Sequence, residues 1–311
     1  MQKKLLSFVI PVYNESESIP HLLSELTSFM EKNKSYDFEM MLVENGSTDN
    51  SYELLANHVQ LDKRFKILQL SRNFGCDSGI VAGLKYITGD ACVVMMADMQ
   101  EPIELVSQFL EKWEQGYEIV YGIVKKRTSG FVRQMSSVLF YKLLNVATNN
   151  AFPENASDFR LMDKKVYEAI NSMPEQNKYL RGLVAWTGFK HTGIPFDRKE
   201  RYAGESKADL ITVIRVAKNG MFSFSYLPLQ FVTYTGLLMT IFSFILIVYY
   251  LILFAMIGRV NPGITSIILL MLFLFGILFF ILGIISEYIA RIYEEAKGRP
   301  TYIVKSNINI E

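Results

Sequence analysis

The chain has 311 residues, with Lys+Arg 32 against Asp+Glu 31 and a formal charge of +1. That balance lacks the basic excess that phosphate-backbone binding requires, which excludes nucleic acid as the expected partner. The two cysteines, Cys76 and Cys92, stand in unrelated contexts without metal-ligand spacing, so a disulfide scaffold or zinc site is excluded in favour of buried thiols in a reducing compartment.

From the N-terminus, short runs rich in Val, Ile and Phe alternate with helix-length amphipathic stretches. This alternation is the pattern of a parallel sheet with covering helices. It predicts strands over Leu5–Val12, Phe38–Val43, Phe65–Leu70, Ala91–Met96 and Glu118–Tyr121, and helices over Glu17–Glu31, Asp77–Ile87 and Pro102–Gln115. Gln2-Lys3-Lys4 leads straight into the first strand, whose apolar core is too short for a signal peptide.

In open sheets of this kind ligands bind beyond the carboxyl ends of the strands. Four polar clusters fall at those ends: Pro11-Val12-Tyr13-Asn14-Glu15, Glu44-Asn45-Gly46-Ser47-Thr48-Asp49, Arg72-Asn73-Phe74-Gly75 and Ala97-Asp98-Met99-Gln100. Singly, each reads equally well as a turn or a helix cap, with Ser47, Asp49 or Asp98 as the capping residue. Four at one edge point to a joint ligand site. Asp98 and Gln100 alternate around Met99 and offer oxygen ligands to a hard cation such as Mg²⁺ or Mn²⁺.

Further along, Phe231–Ile257 and Pro262–Ser286 carry no charged residue. Each run exceeds the roughly 20 apolar residues that cross a hydrocarbon core of about 30 Å. Gly258, Arg259, Asn261, Pro262 and Gly263 supply turn chemistry between them, so a hairpin of two membrane helices is expected. Basic residues before it (Arg198, Lys199, Arg201, Lys207, Arg215, Lys218) and after it (Arg291, Lys297, Arg299, Lys305) place both ends in the cytoplasm. Leu210, Ile211, Ile214, Val216, Met221 and Phe222, intermixed with Arg215 and Lys218, fit an interfacial amphipathic helix or an ordinary linker helix. Gly276 and Gly283 offer a face for self-association into a homo-oligomer.

Six motifs in order, Val9-Ile10-Pro11-Val12-Tyr13-Asn14-Glu15, Val43-Glu44-Asn45-Gly46-Ser47-Thr48-Asp49, Ser71-Arg72-Asn73-Phe74-Gly75, Ala97-Asp98-Met99-Gln100-Glu101-Pro102, Asp158-Phe159-Arg160-Leu161 and Arg201-Tyr202-Ala203-Gly204-Glu205-Ser206-Lys207, precede the hairpin. Together they resemble the family 2 glycosyltransferases, specifically the polyprenyl-phosphate sugar transferase group that includes dolichyl-phosphate mannose synthase and bactoprenol glucosyltransferases. The resemblance covers nearly the whole chain. It implies an α/β GT-A fold, a Rossmann-like, mostly parallel sheet with covering helices, plus the C-terminal transmembrane hairpin. The expected divisions are a cytosolic GT-A domain over 1–204, the interfacial region over 205–228, two spans within 229–288 (about 231–257 and 264–286), and a cytosolic tail over 289–311.

The same resemblance implies that Pro11, Tyr13, Glu15, Val43, Asn45 and Ala97 hold the base and ribose of a nucleotide sugar. Asp98 and Gln100 would bind the metal, and Arg201 and Lys207 would clamp the diphosphate. Arg133 and Ser137, four apart and so on one helix face, would receive a lipid phosphate. Asp158 stands at the family's proposed base position. Three departures stand out: Glu44-Asn45 replaces paired aspartates, Met96 replaces the first residue of Asp-x-Asp, and Val124 replaces an arginine for which Lys125 or Arg127 must substitute. The activity implied is inverting transfer of glucose or N-acetylglucosamine from a UDP-sugar to undecaprenyl phosphate at the bacterial inner membrane, supplying sugar to a cell-surface polymer. Asn45 and Met96 motivate the rival reading of a membrane-tethered nucleotide-sugar sensor or scaffold. A processive synthase would carry Gln-x-x-Arg-Trp and more spans, and a transporter would place ionisable residues within the spans.

Overall fold

The computed structural model describes residues 3–125, 156–176, 178–199, 227–257 and 263–310. Contacts divide the chain into a unit formed by residues 1–220 with 299–311, and a second unit of residues 221–298.

The first unit is built on an eight-stranded sheet of order β7-β5-β6-β4-β1-β2-β3-β8. Its strands are β1 Leu5–Val12, β2 Asp37–Glu44, β3 Phe65–Leu70, β4 Ala91–Val94, β5 Ile119–Val124, β6 Ala156–Asp163, β7 His191–Phe196 and β8 Val304–Ile308. β1 pairs in parallel with β2 and β4, and β2 pairs in parallel with β3. Leu6, Phe8, Val9 and Ile10 are fully buried, which is why β1 reads as a continuous apolar run rather than an alternating one.

One face is covered by α1 (Ile19–Lys32), α2 (Ser51–Leu61) and α4 (Leu105–Glu114). Ile19, Leu22, Leu23, Leu26, Phe29 and Met30 form the buried stripe of α1, with Pro20 in the first turn where a missing N–H costs nothing. The rings of Phe8 and Phe29 meet edge to face at 5.7 Å, a contact whose loss in Phe8→Ala would cost about 3–5 kcal/mol. The other face carries α3 (Cys76–Tyr86) and α5 (Lys164–Ser172). Here α3 approaches closely, because a Cβ on Gly83 would fall 2.5 Å from a Val9 methyl.

The sheet is mixed rather than wholly parallel. β6 runs antiparallel to both β4 and β5, and β8 antiparallel to β3. β8 also revises the expected tail: Ser306 Oγ donates to Gln69 Oε1, and Asn309 Nδ2 donates to the carbonyls of Val59 and Phe65. The last residues thus close one edge of the sheet.

The second unit is a pair of helices, α7 (Leu227–Ile257) and α8 (Ile264–Lys297), of 31 and 34 residues. At 1.5 Å per residue each is about 46–51 Å long, more than the roughly 30 Å of a bilayer core. Large apolar side chains such as Leu251 (62% exposed) and Phe279 (68%) face outward, as lipid-facing residues do. Both helices are long and apolar enough to cross a membrane. The second continues past the expected end at Ser286, and Gly298, in the left-handed region at φ 61°, ends it. Of the expected interfacial region over 205–228, residues 205–226 lie outside the described set, and Leu227 and Pro228 open α7.

Candidate active site

The carboxyl ends of β1, β2, β3 and β4 lie at one edge, and the strand order reverses between β1 and β4, where open sheets leave a crevice. β6 reaches that edge from the opposite direction. Val94 pairs with Arg160, so the start of β6, including Asp158, lies where β4 ends. β7 runs parallel to β5 and delivers Asp197, Arg198 and Lys199 to the same edge.

The first two loops are laced together. Asn14, at φ 52°, accepts a bond at Oδ1 from the Thr48 N–H (2.7 Å) while its own N–H donates to Ser47 Oγ (3.0 Å). The N–H of Glu15 donates to Ser51 Oγ, and that of Ser16 to Asp49 Oδ2. Pro11, Tyr13 and Glu15 are half-buried along this segment. Ser47, Ser51 and Asp49 therefore fix the first loop; Asp49 Oδ1 also accepts from the Ser51 N–H at the start of α2, whose N-cap is Asn50 rather than Ser47 or Asp49.

Asn45 has a task that its sequence context did not reveal. Its Oδ1 accepts from the Phe74 N–H (3.0 Å) and its Nδ2 donates to the Gly75 carbonyl (2.9 Å), tying β2 to the β3–α3 turn. A Cβ on Gly46, at φ 69°, would meet the Arg72 backbone at 2.5 Å, so the two loops are also in contact. Glu44 accepts from the Ser47 N–H at Oε1, whereas its buried Oε2 has no hydrogen-bond partner among the described residues. Val43 is fully buried, paired on both sides within the sheet and packed toward Gly83 of α3, so it backs the site rather than lining it. Ala97 is likewise buried.

After β4 the chain makes a tight turn. Asp98 Oδ1 accepts from the Gln100 N–H (3.3 Å), the Met96 N–H donates to Glu101 Oε2 (3.0 Å), and Met99 sits at φ 56°. A left-handed non-glycine residue costs about 1–3 kcal/mol and persists only where its surroundings over-determine it. Here Gln100 provides this by exchanging bonds with Lys199, whose N–H donates to the Gln100 carbonyl while Gln100 Nε2 donates to the Lys199 carbonyl. Burial, opposed by the Met96 N–H, pushes Glu101 up to about 7.

Asp98 and Gln100 thus share one turn through the Gln100 main-chain N–H, and the Asp98 carboxylate and Gln100 amide are oxygen donors of the hard type that Mg²⁺ or Mn²⁺ takes. Among the described residues there is no group of three or more His, Cys, Asp or Glu able to hold a metal alone, so further ligands would come from substrate and water. Met96 is not such a ligand: its Sδ lies 3.8 Å from Cys76 Sγ.

Asp158 sits in a charged cluster. Arg181, on α6 (Leu180–Trp186), grips it with both arms, Nε to Oδ1 and Nη2 to Oδ2, each at 2.6 Å. Burial would raise the Asp158 pKa, but Arg181, then Arg160 and Arg198, hold it at about 2. Asp77 lies near both; burial and the Asp158 charge push it up to about 7, against Arg181, Arg160 and the Leu180 N–H.

Sequence reasoning missed Arg181, Asp77, Arg198 and Lys199 as members of this edge. The one available signal was a single arginine in the apolar stretch Leu180–Trp186, and nothing local names its partner 23 residues earlier. Lys125 is exposed at the end of β5 and pairs with Asp197 at 3.5 Å. Arg127, Arg133, Ser137, Arg201 and Lys207 lie outside the described residues.

The family model for glycosyl transferase family 2 matches residues 7–170, which contain the four loops and Asp158. The chain belongs to glycosyl transferase family 2. A Bacillus subtilis relative described as the uncharacterized glycosyltransferase YkcC is 42% identical over 308 residues, covering 98% of this chain and 94% of the relative. An Escherichia coli relative named as a prophage bactoprenol glucosyl transferase homolog is 36% identical over 301 residues, 96% of this chain and 98% of the relative. The bactoprenol glucosyl transferase of Shigella phage SfX is 35% identical over 302 residues, 97% and 99% of the two chains. Among solved structures, glucosyl-3-phosphoglycerate synthase from Mycobacterium tuberculosis, in complex with Mn²⁺, uridine diphosphate and phosphoglyceric acid, superposes with a TM-score of 0.50 at 14% identity. That superposition covers 69% of this chain and 75% of the synthase, and establishes the shared fold. This family 2 member is a glycosyltransferase with a GT-A-like α/β fold.

Proposed function

We propose that the chain transfers one glucose or N-acetylglucosamine from a UDP-sugar to undecaprenyl phosphate at the cytoplasmic face of the inner membrane. The observation that carries this reading is the convergence of the Asp98–Gln100 turn and the Asp158 carboxylate on one sheet edge, in a chain that also has two bilayer-length helices. Relatives named for bactoprenol as acceptor, matched over nearly the whole chain, support the lipid substrate.

In the proposed reaction a phosphate oxygen of the lipid attacks the anomeric carbon, and the bond from that carbon to the donor's diphosphate breaks with inversion. Its electron pair leaves on UDP. The acceptor phosphate has a second pKa of about 6, so it is largely ionised at neutral pH and its attack requires no strong base. Asp158, held at about 2 by its arginines, is a weak base, and it is assigned to orient the acceptor or take its residual proton. Asp98 and Gln100 would hold Mg²⁺ or Mn²⁺, whose charge offsets that developing on the diphosphate. The Mn²⁺ bound by the solved synthase of the same fold supports a divalent cation in the reaction. Pro11, Tyr13 and Glu15 line the donor crevice, with buried Val43 and Ala97 behind it and Asn45 holding its wall. Arg127, Arg201 and Lys207 are assigned to the diphosphate, and Arg133 and Ser137 to the lipid phosphate.

The chain leaves the sheet unit before α7 and re-enters the same sheet as β8 after α8, which supports an even number of membrane crossings. Two spans satisfy that, and the flanking basic residues favour the cytoplasm for both ends.

The second reading, a nucleotide-sugar sensor, draws on the thioether at Met96. To separate the two, purified protein would be incubated with undecaprenyl phosphate, Mg²⁺ or Mn²⁺ and each radiolabelled nucleotide sugar in turn. Label entering the lipid phase from a UDP-sugar supports transfer and names the sugar; binding of donors without transfer supports the sensor.

A further inference from the structure

We propose that Arg181 is a positioning residue for the transfer step, fixing the Asp158 carboxylate in the single orientation from which it meets the acceptor. The inference rests on the transferase reading and adds a residue to it.

Two arginines approach the start of β6, and their bonds separate their tasks. Arg160, only 4% exposed, spends its guanidinium on backbone, Nη2 to the Ser157 carbonyl (2.9 Å) and Nε to the Asp158 carbonyl (3.2 Å), and stands 3.6 Å from Oδ1. It holds the strand. Arg181 makes no such use of the Asp158 backbone: its fork takes both carboxylate oxygens at 2.6 Å, which fixes the plane of the group as well as its place.

α6 does not need this pair in order to dock. Leu180, Leu183 and Val184 are buried beneath it, and the Leu180 N–H reaches the Asp77 carboxylate. Arg181 keeps 28% of its side chain exposed, at the rim of the crevice. The charged and titratable groups facing Asp158 are Arg181 from α6, Arg160 from β6, Arg198 after β7, Asp77 and the neutral Cys76 thiol from α3, and Glu101 after β4. Removing Arg181 leaves Arg160, committed to backbone, and Arg198 as the remaining cations, with the carboxylate free to rotate and readier to protonate. Lysine would restore a charge but not the two-pronged geometry.

The test compares wild type with Arg181→Met, Arg181→Lys, Asp158→Asn and the Asp158→Asn/Arg181→Met double variant, all as full chains in detergent with undecaprenyl phosphate. Arg181→Met is expected to lower kcat about 100-fold, as a misplaced group does, with the donor KM nearly unchanged. Arg181→Lys should recover part of kcat. The double variant should be no slower than Asp158→Asn alone, since the two residues act as a unit. Independent losses that multiply, or a loss in Arg181→Met that is absent from Asp158→Asn, would overturn the proposal. A wild type that transfers no sugar from any donor overturns the transferase reading instead. In that event carboxyl-carbon NMR of Asp158 still decides the pairing: an ionised signal at pH 4.5 in wild type that titrates upward in Arg181→Met supports it, and identical titrations contradict it.

Discussion

The Sδ of Met96 lies 3.8 Å from the Sγ of Cys76, so the residue standing where the family places its first metal-binding aspartate is engaged with the start of α3. A thioether is a poor partner for a hard cation, so in the proposed site the burden would fall on Asp98 and Gln100. Met96→Asp would add a hard oxygen donor to the turn. It is expected to lower the Mn²⁺ concentration for half-maximal transfer about tenfold, or ~1.4 kcal/mol, read by titrating activity against metal. An unchanged requirement would mean that this position has no access to the metal.

The pH profile of transfer should not carry the signature of Asp158. Held at about 2, this carboxylate stays ionised throughout the working range, and any stability it contributes is lost only as pH falls from the ordinary 3.8 toward that value. The acid limb of kcat/KM is therefore expected near the acceptor phosphate's second pKa, about 6, and should stay there in Asp158→Asn while the plateau drops. A limb that vanishes in Asp158→Asn would assign it to the carboxylate.

Asn45 lends itself to a substitution that moves toward the family pattern and should nevertheless do harm. Asn45→Asp keeps an acceptor for the Phe74 N–H but sets a carboxylate oxygen against the Gly75 carbonyl. The expected cost is about 1–3 kcal/mol of stability in the absence of donor, measured by thermal unfolding. Equal melting temperatures would show that the turn reorganises around an aspartate.

Some of this was legible in the sequence and some was not. β1 to β5 could be read because strands covered on both faces are continuous apolar runs, and β1 and β3 begin and end where that pattern does. β6 escaped because Asp158, Arg160 and Asp163 interrupt it; Asp158 and Asp163 are held by Arg181 and Trp113, distant in sequence, and Arg160 by the carbonyls of Ser157 and Asp158. β7 contains Gly193 and Pro195, turn residues that an edge strand accommodates. β8 has the half-exposed pattern of an edge, and its pairing with Ile67–Leu70 lies more than two hundred residues away in sequence. In the site, the loops were legible because ligand edges follow strand ends. The sharing of Asn45 between two turns, and the Arg181 grip, depend on folded geometry.

Asp77 makes stability depend on pH in the opposite sense to Asp158. Its pKa is raised from 3.8 to about 7, so the folded state binds the proton more tightly, and the associated stability is lost as pH rises through that window. Asp77→Asn keeps an acceptor for the Leu180 N–H without the charge. Relative to wild type it should gain melting temperature between pH 5 and 8, with little difference at the acid end. A constant offset across that range would exclude titration of Asp77 as the cause.

The central claim is group transfer onto a lipid phosphate, and mass spectrometry of the lipid reads it most directly. Full-length protein in detergent, given undecaprenyl phosphate, UDP-glucose or UDP-N-acetylglucosamine and Mn²⁺, should yield lipid heavier by one sugar residue, with UDP released in equal amount and the product absent in the Asp98→Ala variant. Lipid of unchanged mass alongside saturable UDP-sugar binding would contradict the account.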